Sequence, residues 1–293
     1  MEVWGTVTSA IGALGPRQIV CDVRSEASVC TALEEARPDG ILHLAGQSFV
    51  PLSWEDPAGT IQTNVVGTVS LLRGVLRVIS RARVVVIGSG LIYGRTDASP
   101  CHTEEAAFDP TNPYALSKLC ADLMAGLLAQ QDGLDVVRVR PLNHTGPGQR
   151  PDFALPAFCR QIARAEAGLA RPRLEVGNLD VHRDITDVRD IAAAYRMALL
   201  HGHRGEVYNV GSGKPVLLRR VVDLLSGMAR IPIEIVLDPS RVRHGEPLRY
   251  DVDASKFKSH TGWSPQVPLE QTLEDLLSYW RDQASTEILN SEC

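Results

Sequence analysis

Val84-Val85-Val86-Ile87-Gly88-Ser89-Gly90-Leu91-Ile92-Tyr93-Gly94, then Asn112-Pro113-Tyr114-Ala115-Leu116-Ser117-Lys118, is the stretch on which the reading of this chain turns. A β-branched run ending in glycines reads as a strand buried on both faces, with Ser89 at its carboxyl end. Asn112 can cap a helix, Pro113 suits its first position and Gly133 closes it, so a helix is expected over 113–131. Tyr114 and Lys118 are four apart and share one helical face. A lysine there favours the phenolate, pulling the tyrosine's pKa toward the range of useful proton exchange. Carbonyl chemistry with a nicotinamide cofactor needs this set: one hydroxyl to hold the oxygen, one to trade its proton, one cation to tune it. Taken alone, Y-x-x-x-K fits a surface helix better. Ser89, whose bland role is a hydroxyl closing a turn, tips the reading toward chemistry.

Outward from that stretch, apolar strands alternate with amphipathic helices. Strands are expected at 2–7, 18–21, 41–44, 83–87 and 134–140, with helices at 26–36, 60–79 and 113–131. Such alternation implies a parallel sheet covered by helices on both faces. The last third carries shorter elements at 207–210, 217–229, 233–237 and 269–281, followed by a polar tail expected to fray. They are expected to form a smaller α/β lobe over the sheet's carboxyl edge, where open α/β sheets bind ligands. The division reads as 1–142 with 179–211 for the Rossmann-type sheet domain, and 143–178 with 212–293 for the lobe.

A net charge of −5 gives no electrostatic footprint for nucleic acid, so any anionic ligand must be met by local arginines. Six cysteines without C-x-x-C spacing suit a reducing cytoplasm better than a disulfide framework or a zinc site. No apolar run reaches membrane-spanning length. Gly211-Ser212-Gly213-Lys214 looks like a phosphate loop, but Tyr208 occupies the first glycine position and Pro215 follows the lysine. His201-Gly202-His203 lacks the partners of a metal site, and no metal is expected.

Together with these residues, 140–149 (Arg-Pro-Leu-Asn-His-Thr-Gly-Pro-Gly-Gln) and 177–188 (Gly-Asn-Leu-Asp-Val-His-Arg-Asp-Ile-Thr-Asp-Val) resemble the extended short-chain dehydrogenase/reductase family. Within it they resemble the branch acting on GDP-mannose derivatives, and Pro151-Asp152-Phe153, Val210–Lys214 and 257–263 extend the likeness. The resemblance implies a Rossmann-type, doubly wound sheet with a substrate lobe. It also implies NAD(P)H-dependent reduction of the C4 ketone of a GDP-4-dehydro-6-deoxyhexose, by a homodimer bundled through the helices at 60–79 and 113–131. Ser89, Tyr114 and Lys118 match the catalytic set. Asp22 and Val23 match where the family holds adenine, although Asp22 reads equally as a turn residue. Leu44, Ala45, Gly46 and Asn64 match positions flanking the dinucleotide. Asn143, Arg183, Arg243 and Glu246 match the grip on the nucleotide sugar, although His244-Gly245 departs from the family's usual proline. Thr8 and Ser9 stand where NADP-users often place arginines; with no acid to reject a 2′-phosphate, NADP is slightly preferred over NAD.

Two features leave alternatives open. Leu91 stands where the family's dehydratases carry an acid, which favours reduction over 4,6-dehydration, with 4-epimerisation on the same scaffold as a further option. The family's G-x-x-G-x-x-G loop, which brings backbone N–H groups to the pyrophosphate, is absent, as is the strand before it. That strand would lie between the first strand here and 41–44. The natural protein is then longer, or the chain is a truncated, non-catalytic sugar-nucleotide binder, or its strands close up around a weaker cofactor site.

Overall fold

The computed structural model of the chain describes residues 2–9, 15, 17–94, 101–242 and 248–291. Its first half runs β1 (Gly5–Val7), β2 (Gln18–Val20), α1 (Glu26–Ala36), β3 (Gly40–His43), α2 (Val50–Glu55), α3 (Pro57–Ile61), a π turn (Gln62–Val66), α4 (Gly67–Val78), β4 (Arg83–Ile87), α5 (Pro113–Asp132) and β5 (Asp135–Pro141). The second half runs β6 (Asn143–Thr145), α6 (Ala154–Glu166), β7 (Arg173–Val176), β8 (His182–Arg183), β9 (Ile185–Asp187), α7 (Val188–His201), β10 (Val207–Val210), β11 (Val216–Leu217), α8 (Leu218–Met228), β12 (Glu234–Leu237), β13 (Arg249–Tyr250), α9 (Ser255–Thr261) and α10 (Leu269–Ser291).

Four strands form a parallel sheet in the order β10-β5-β4-β3. Successive side chains on a strand point to opposite faces, which is why β4 and β5 need apolar residues at almost every position. Val84, Val86 and Val136 pack beneath α1, α4 and α5, against Val29, Leu72, Val75 and Ala125. Val85, Val137 and Val139 face the other way, onto Ile191, Ala194 and Ala198 of α7. Full burial of a side chain such as Leu72, which has 0% exposure, contributes about 1.5–3 kcal/mol.

The sheet is split. β1 pairs in parallel only with β2, β3 pairs only with β4, and no ladder joins β1 to β3 among the described residues. This is the position the sequence marked as lacking a strand. Leu42, Leu44, Trp4 and Val20 are exposed around it.

A separate core holds the lobe, where Phe158 and Ile162 of α6, Val221 and Leu225 of α8, and Leu273 and Leu277 of α10 enclose Leu174 and Val176. Leu179, Val181 and Ile185 also pack into it. Two expectations need correcting. The helix read over 60–79 is interrupted by the π turn. The polar tail does not fray after Asp282, because α10 continues to Ser291. Arg281 pairs with Glu166 at 2.7 Å and Glu287 pairs with Arg164, tying that end of α10 to α6.

Candidate active site

Ser89 sits where β4 gives way to a turn, at the carboxyl end of the sheet. It caps a short 3-10 helix, Gly90–Tyr93, its Oγ accepting from the Leu91 N–H at 3.2 Å. The turn requires Gly94, whose φ of 69° is left-handed and whose added Cβ would stand 2.0 Å from the Asp109 carbonyl oxygen. α5 begins as its sequence dictates: the Asn112 side chain accepts from the Ala115 N–H at 2.8 Å, Pro113 opens the first turn, and Gly133 closes the helix with φ 67°.

The helix brings Tyr114 to Ser89, whose hydroxyl stands close enough to favour the phenolate. Burial pushes the Tyr114 pKa up and the Ser89 hydroxyl offsets part of the rise. This corrects the expectation that Lys118 lowers it. Desolvation of the phenolate dominates, and the lysine's Nζ donates to the Ile87 carbonyl at 2.8 Å. Lys118 itself keeps some surface open to solvent, yet burial lowers its pKa to about 8.

Asn64 joins this cluster through the π turn, a distortion that often marks functional sites. Only 2% exposed, it accepts from the Gln47 N–H at 2.8 Å and donates to the Gln47 carbonyl at 3.0 Å and to Ser117 Oγ at 2.9 Å. Ser117 in turn donates to the Tyr114 carbonyl at 2.7 Å. A Cβ on Gly46 would meet Asn64 Oδ1 at 3.0 Å and Lys118 Nζ at 3.5 Å. Gly46, Asn64 and Lys118 therefore stand together, with Leu44 and Ala45 exposed at the carboxyl end of β3. Gln47 and Ser117 were not singled out from sequence, because polar loop and helix residues carry no mark of what they will hold. His43, buried beside Thr68 Oγ1 at 3.1 Å, has its pKa lowered to about 4 by burial and by the Lys118 charge.

Asp22 and Val23 follow β2, in the two-stranded sheet that has no ladder to the main one among the described residues. Asp22 accepts from the Arg24 backbone at 3.0 Å and pairs with its guanidinium at 2.7 Å, which lowers its pKa to about 2. That geometry is the turn. Val23 is buried against Gly67, whose added Cβ would lie 2.9 Å from it.

Asn143 opens β6 and is exposed, and its register partner on β9 is Ile185, two residues beyond Arg183. Arg183 is 7% exposed, its Nη1 donating to the His182 carbonyl at 2.7 Å. Asp184 accepts from the Ser212 and Gly213 N–H groups at 2.9 and 2.7 Å. The glycine-rich 211–214 loop is thus wrapped around a carboxylate. Asp187 holds Arg189 and Thr272, each at 2.8 Å. Arg243 and Glu246 lie outside the described residues.

Beneath the cluster runs a buried network not anticipated from sequence. Arg140, 2% exposed, donates to Asp122 Oδ2 and to the Tyr93 hydroxyl, both at 2.7 Å. Tyr93 donates to Asn209 Oδ1 at 2.8 Å, and the Asn209 N–H donates to Glu104 at 2.8 Å. Asp122 lies one turn beyond Lys118 on the same face of α5. The available signal was a pair of arginines, Arg138 and Arg140, alternating with the valines of β5.

Residues 16–276 match the model of the GDP-mannose 4,6 dehydratase family. The chain is 41% identical over 252 residues to GDP-6-deoxy-D-mannose reductase of Pseudomonas aeruginosa PAO1, covering 85% of this chain and 83% of that protein. It is 30% identical over 279 residues to dTDP-glucose 4,6-dehydratase of Xanthomonas campestris pv. campestris, covering 88% and 77%. Among solved structures it superposes on RMD from Pseudomonas aeruginosa complexed with NADPH, with TM-score 0.84 and 39% identity over 90% of this chain and 88% of that one. DesIV of Streptomyces venezuelae, a dTDP-glucose 4,6-dehydratase with NAD bound, matches with TM-score 0.80 and 28% identity over 92% of this chain and 81% of that one. The motifs around Ser89 and Tyr114, the parallel sheet that positions them and these likenesses agree: the chain belongs to the GDP-mannose 4,6 dehydratase family of extended short-chain dehydrogenases/reductases.

Proposed function

We propose that the chain reduces the C4 ketone of a GDP-4-dehydro-6-deoxyhexose with NAD(P)H, as in GDP-rhamnose synthesis. The observation that carries this reading is the meeting of Ser89, Tyr114 and Lys118 at the carboxyl end of β4. Likeness to a reductase and to a structure holding NADPH supports it. The dinucleotide, when bound, supplies the hydride. Tyr114 is neutral because burial raises its pKa, so it holds a proton to give to the substrate oxygen. Ser89 donates a hydrogen bond to that oxygen as charge develops. Lys118 binds the nicotinamide ribose, and the Gly46–Asn64 cradle, where a side chain would crowd Asn64, flanks the dinucleotide. Leu44 and Ala45 line the same side, and Asp22 and Val23 are assigned the adenine. Thr8 and Ser9, both exposed, leave NADP slightly preferred. Asn143, Arg183, Arg243 and Glu246 hold the nucleotide sugar.

Residues 1–142 with 179–211 form the dinucleotide domain in this reading, and 143–178 with 212–293 the substrate lobe. Leu116, Leu123 and Leu127 of α5 are exposed, as are Ile61 and Leu76 nearby, which suits a homodimer packed through these helices. No described helix is long and apolar enough to cross a membrane, and a cytoplasmic setting suits the free cysteines.

The test is stoichiometric. One NADPH consumed per GDP-4-keto-6-deoxyhexose is expected. Conversion of GDP-mannose without net consumption would replace reduction by dehydration or epimerisation. GDP binding without turnover would favour a non-catalytic binder.

A further inference from the structure

The substrate lobe carries a groove of about 510 Å³ beyond the cluster described above, lined by Arg160, Arg164, Arg171, Arg173 and Arg241 with Glu175 as its one acid. For a chain of net charge −5, five arginines around one groove is a strong local reversal of sign. Two are neutralised: Arg164 pairs with Glu287, and Arg241 pairs with Asp238 at 3.0 Å and Glu175 at 3.3 Å. Arg160, Arg171 and Arg173 are exposed and have no ion-pair partner among the described residues. Arg160 stands 6.0 Å from the Trp280 ring, a contact that leaves its charge intact.

The groove adjoins the assigned substrate positions along the chain. Arg241 precedes Arg243 by two residues, and its backbone oxygen lies 2.5 Å from where a Cβ on Gly177 would stand. From Gly177 the chain runs directly to β8 and Arg183. Another cavity, beside Asp184, Asp251 and Arg249, has one arginine, which pairs with Asp251.

We infer that Arg160, Arg171 and Arg173 form an electrostatic vestibule that captures the diphosphate of the incoming nucleotide sugar and steers it to Arg183. The inference rests on the proposed GDP-sugar reading and adds a kinetic role for residues outside the active site. Three unpaired cations on an acidic surface focus the field locally, raising the encounter rate of a dianion while adding little to its final contacts. Over a Debye length of roughly 10 Å at 0.1 M salt, the effect is screened as ionic strength rises.

The experiment measures GDP association and dissociation by stopped flow across ionic strength, using the full chain. The triple variant R160Q/R171Q/R173Q is expected to associate about tenfold more slowly at low salt, with a flattened salt dependence and a dissociation rate within about twofold of the parent. R160K/R171K/R173K retains the parent rate, since steering reads charge and not guanidinium shape. An association rate and salt slope unchanged in the glutamine variant overturn the vestibule alone. A slower association that lysine does not restore also overturns it. Failure of the parent chain to bind GDP overturns the substrate reading and the vestibule with it.

Discussion

The four-stranded sheet and the two-stranded amino-terminal sheet are built from similar apolar runs but reach different ends. β4 and β5 have a strand on each side and a helical layer on each face, and Val84, Val85 and Val137 are 0% exposed. β1 and β3 each keep an edge without a ladder partner among the described residues, and Leu44 there is 61% exposed. The Ser89–Tyr114–Lys118 cluster stands on the closed half. Asp22 and Val23, assigned to the adenine, stand on the detached one. The two ends of the proposed cofactor site therefore rest on foundations of unequal quality. The chemical end has a strand ladder on both sides, while the adenine end follows a strand pair that reaches the same core through Ile19 and Cys21 but has no ladder to the main sheet among the described residues.

Substitutions on each side can break or sharpen this contrast. Tyr114→Phe removes the proposed proton donor of the closed half and is expected to lower kcat by about 10²–10⁴-fold with little change in melting temperature. Turnover near the parent rate would return Tyr114 to a packing role. Asp122→Ala leaves Arg140 charged and buried, and a loss of about 3–5 kcal/mol in denaturant unfolding is expected. A loss under 1 kcal/mol would show that Arg138, 3.3 Å from Asp122, and the other network members hold this half without the carboxylate. Leu72→Ala in the closed core should cost about 2–5 kcal/mol. Leu42→Ser on the open edge should fall within about 0.5 kcal/mol of the parent. Equal costs for these two would mean that the edge is covered in solution.

The pH profile sharpens the same point. In the proposed reaction Lys118 acts as a cation, and its pKa is lowered to about 8, so kcat/KM should fall as pH rises through that value. The decline is expected to be about tenfold per pH unit above it. The stability sign is opposite. Between about 8 and the ordinary 10.5 the unfolded chain holds a proton that the folded chain does not, so this group's contribution rises with pH. A profile flat to pH 10 would remove Lys118 from the mechanism.

Much of this was legible in the sequence, for local reasons. α1, β4 and β10 span the residues read for them, because caps and apolar runs are written in contiguous residues. Tyr114 and Lys118 were legible because a helical turn fixes their relation. The π turn was not, since an i→i+5 bond leaves no compositional mark. The Asp122–Arg140 pair was hidden because each residue alone resembles a surface charge, and the two meet only where α5 packs on β5. The continuation of α10 depends on Arg164 and Glu166, more than a hundred residues away. Asp22 shows the converse: a local turn with Arg24 explains its geometry without a ligand.

The most direct test of a working nicotinamide site on the closed half is calorimetric titration of NADPH into the chain, with GDP as second ligand and Lys118→Met as control. Roughly micromolar binding to the parent, weakened at least about tenfold in Lys118→Met, is the expected result. GDP binding with no NADPH heat would contradict it, leaving a sugar-nucleotide binder whose catalytic cluster has no hydride to use.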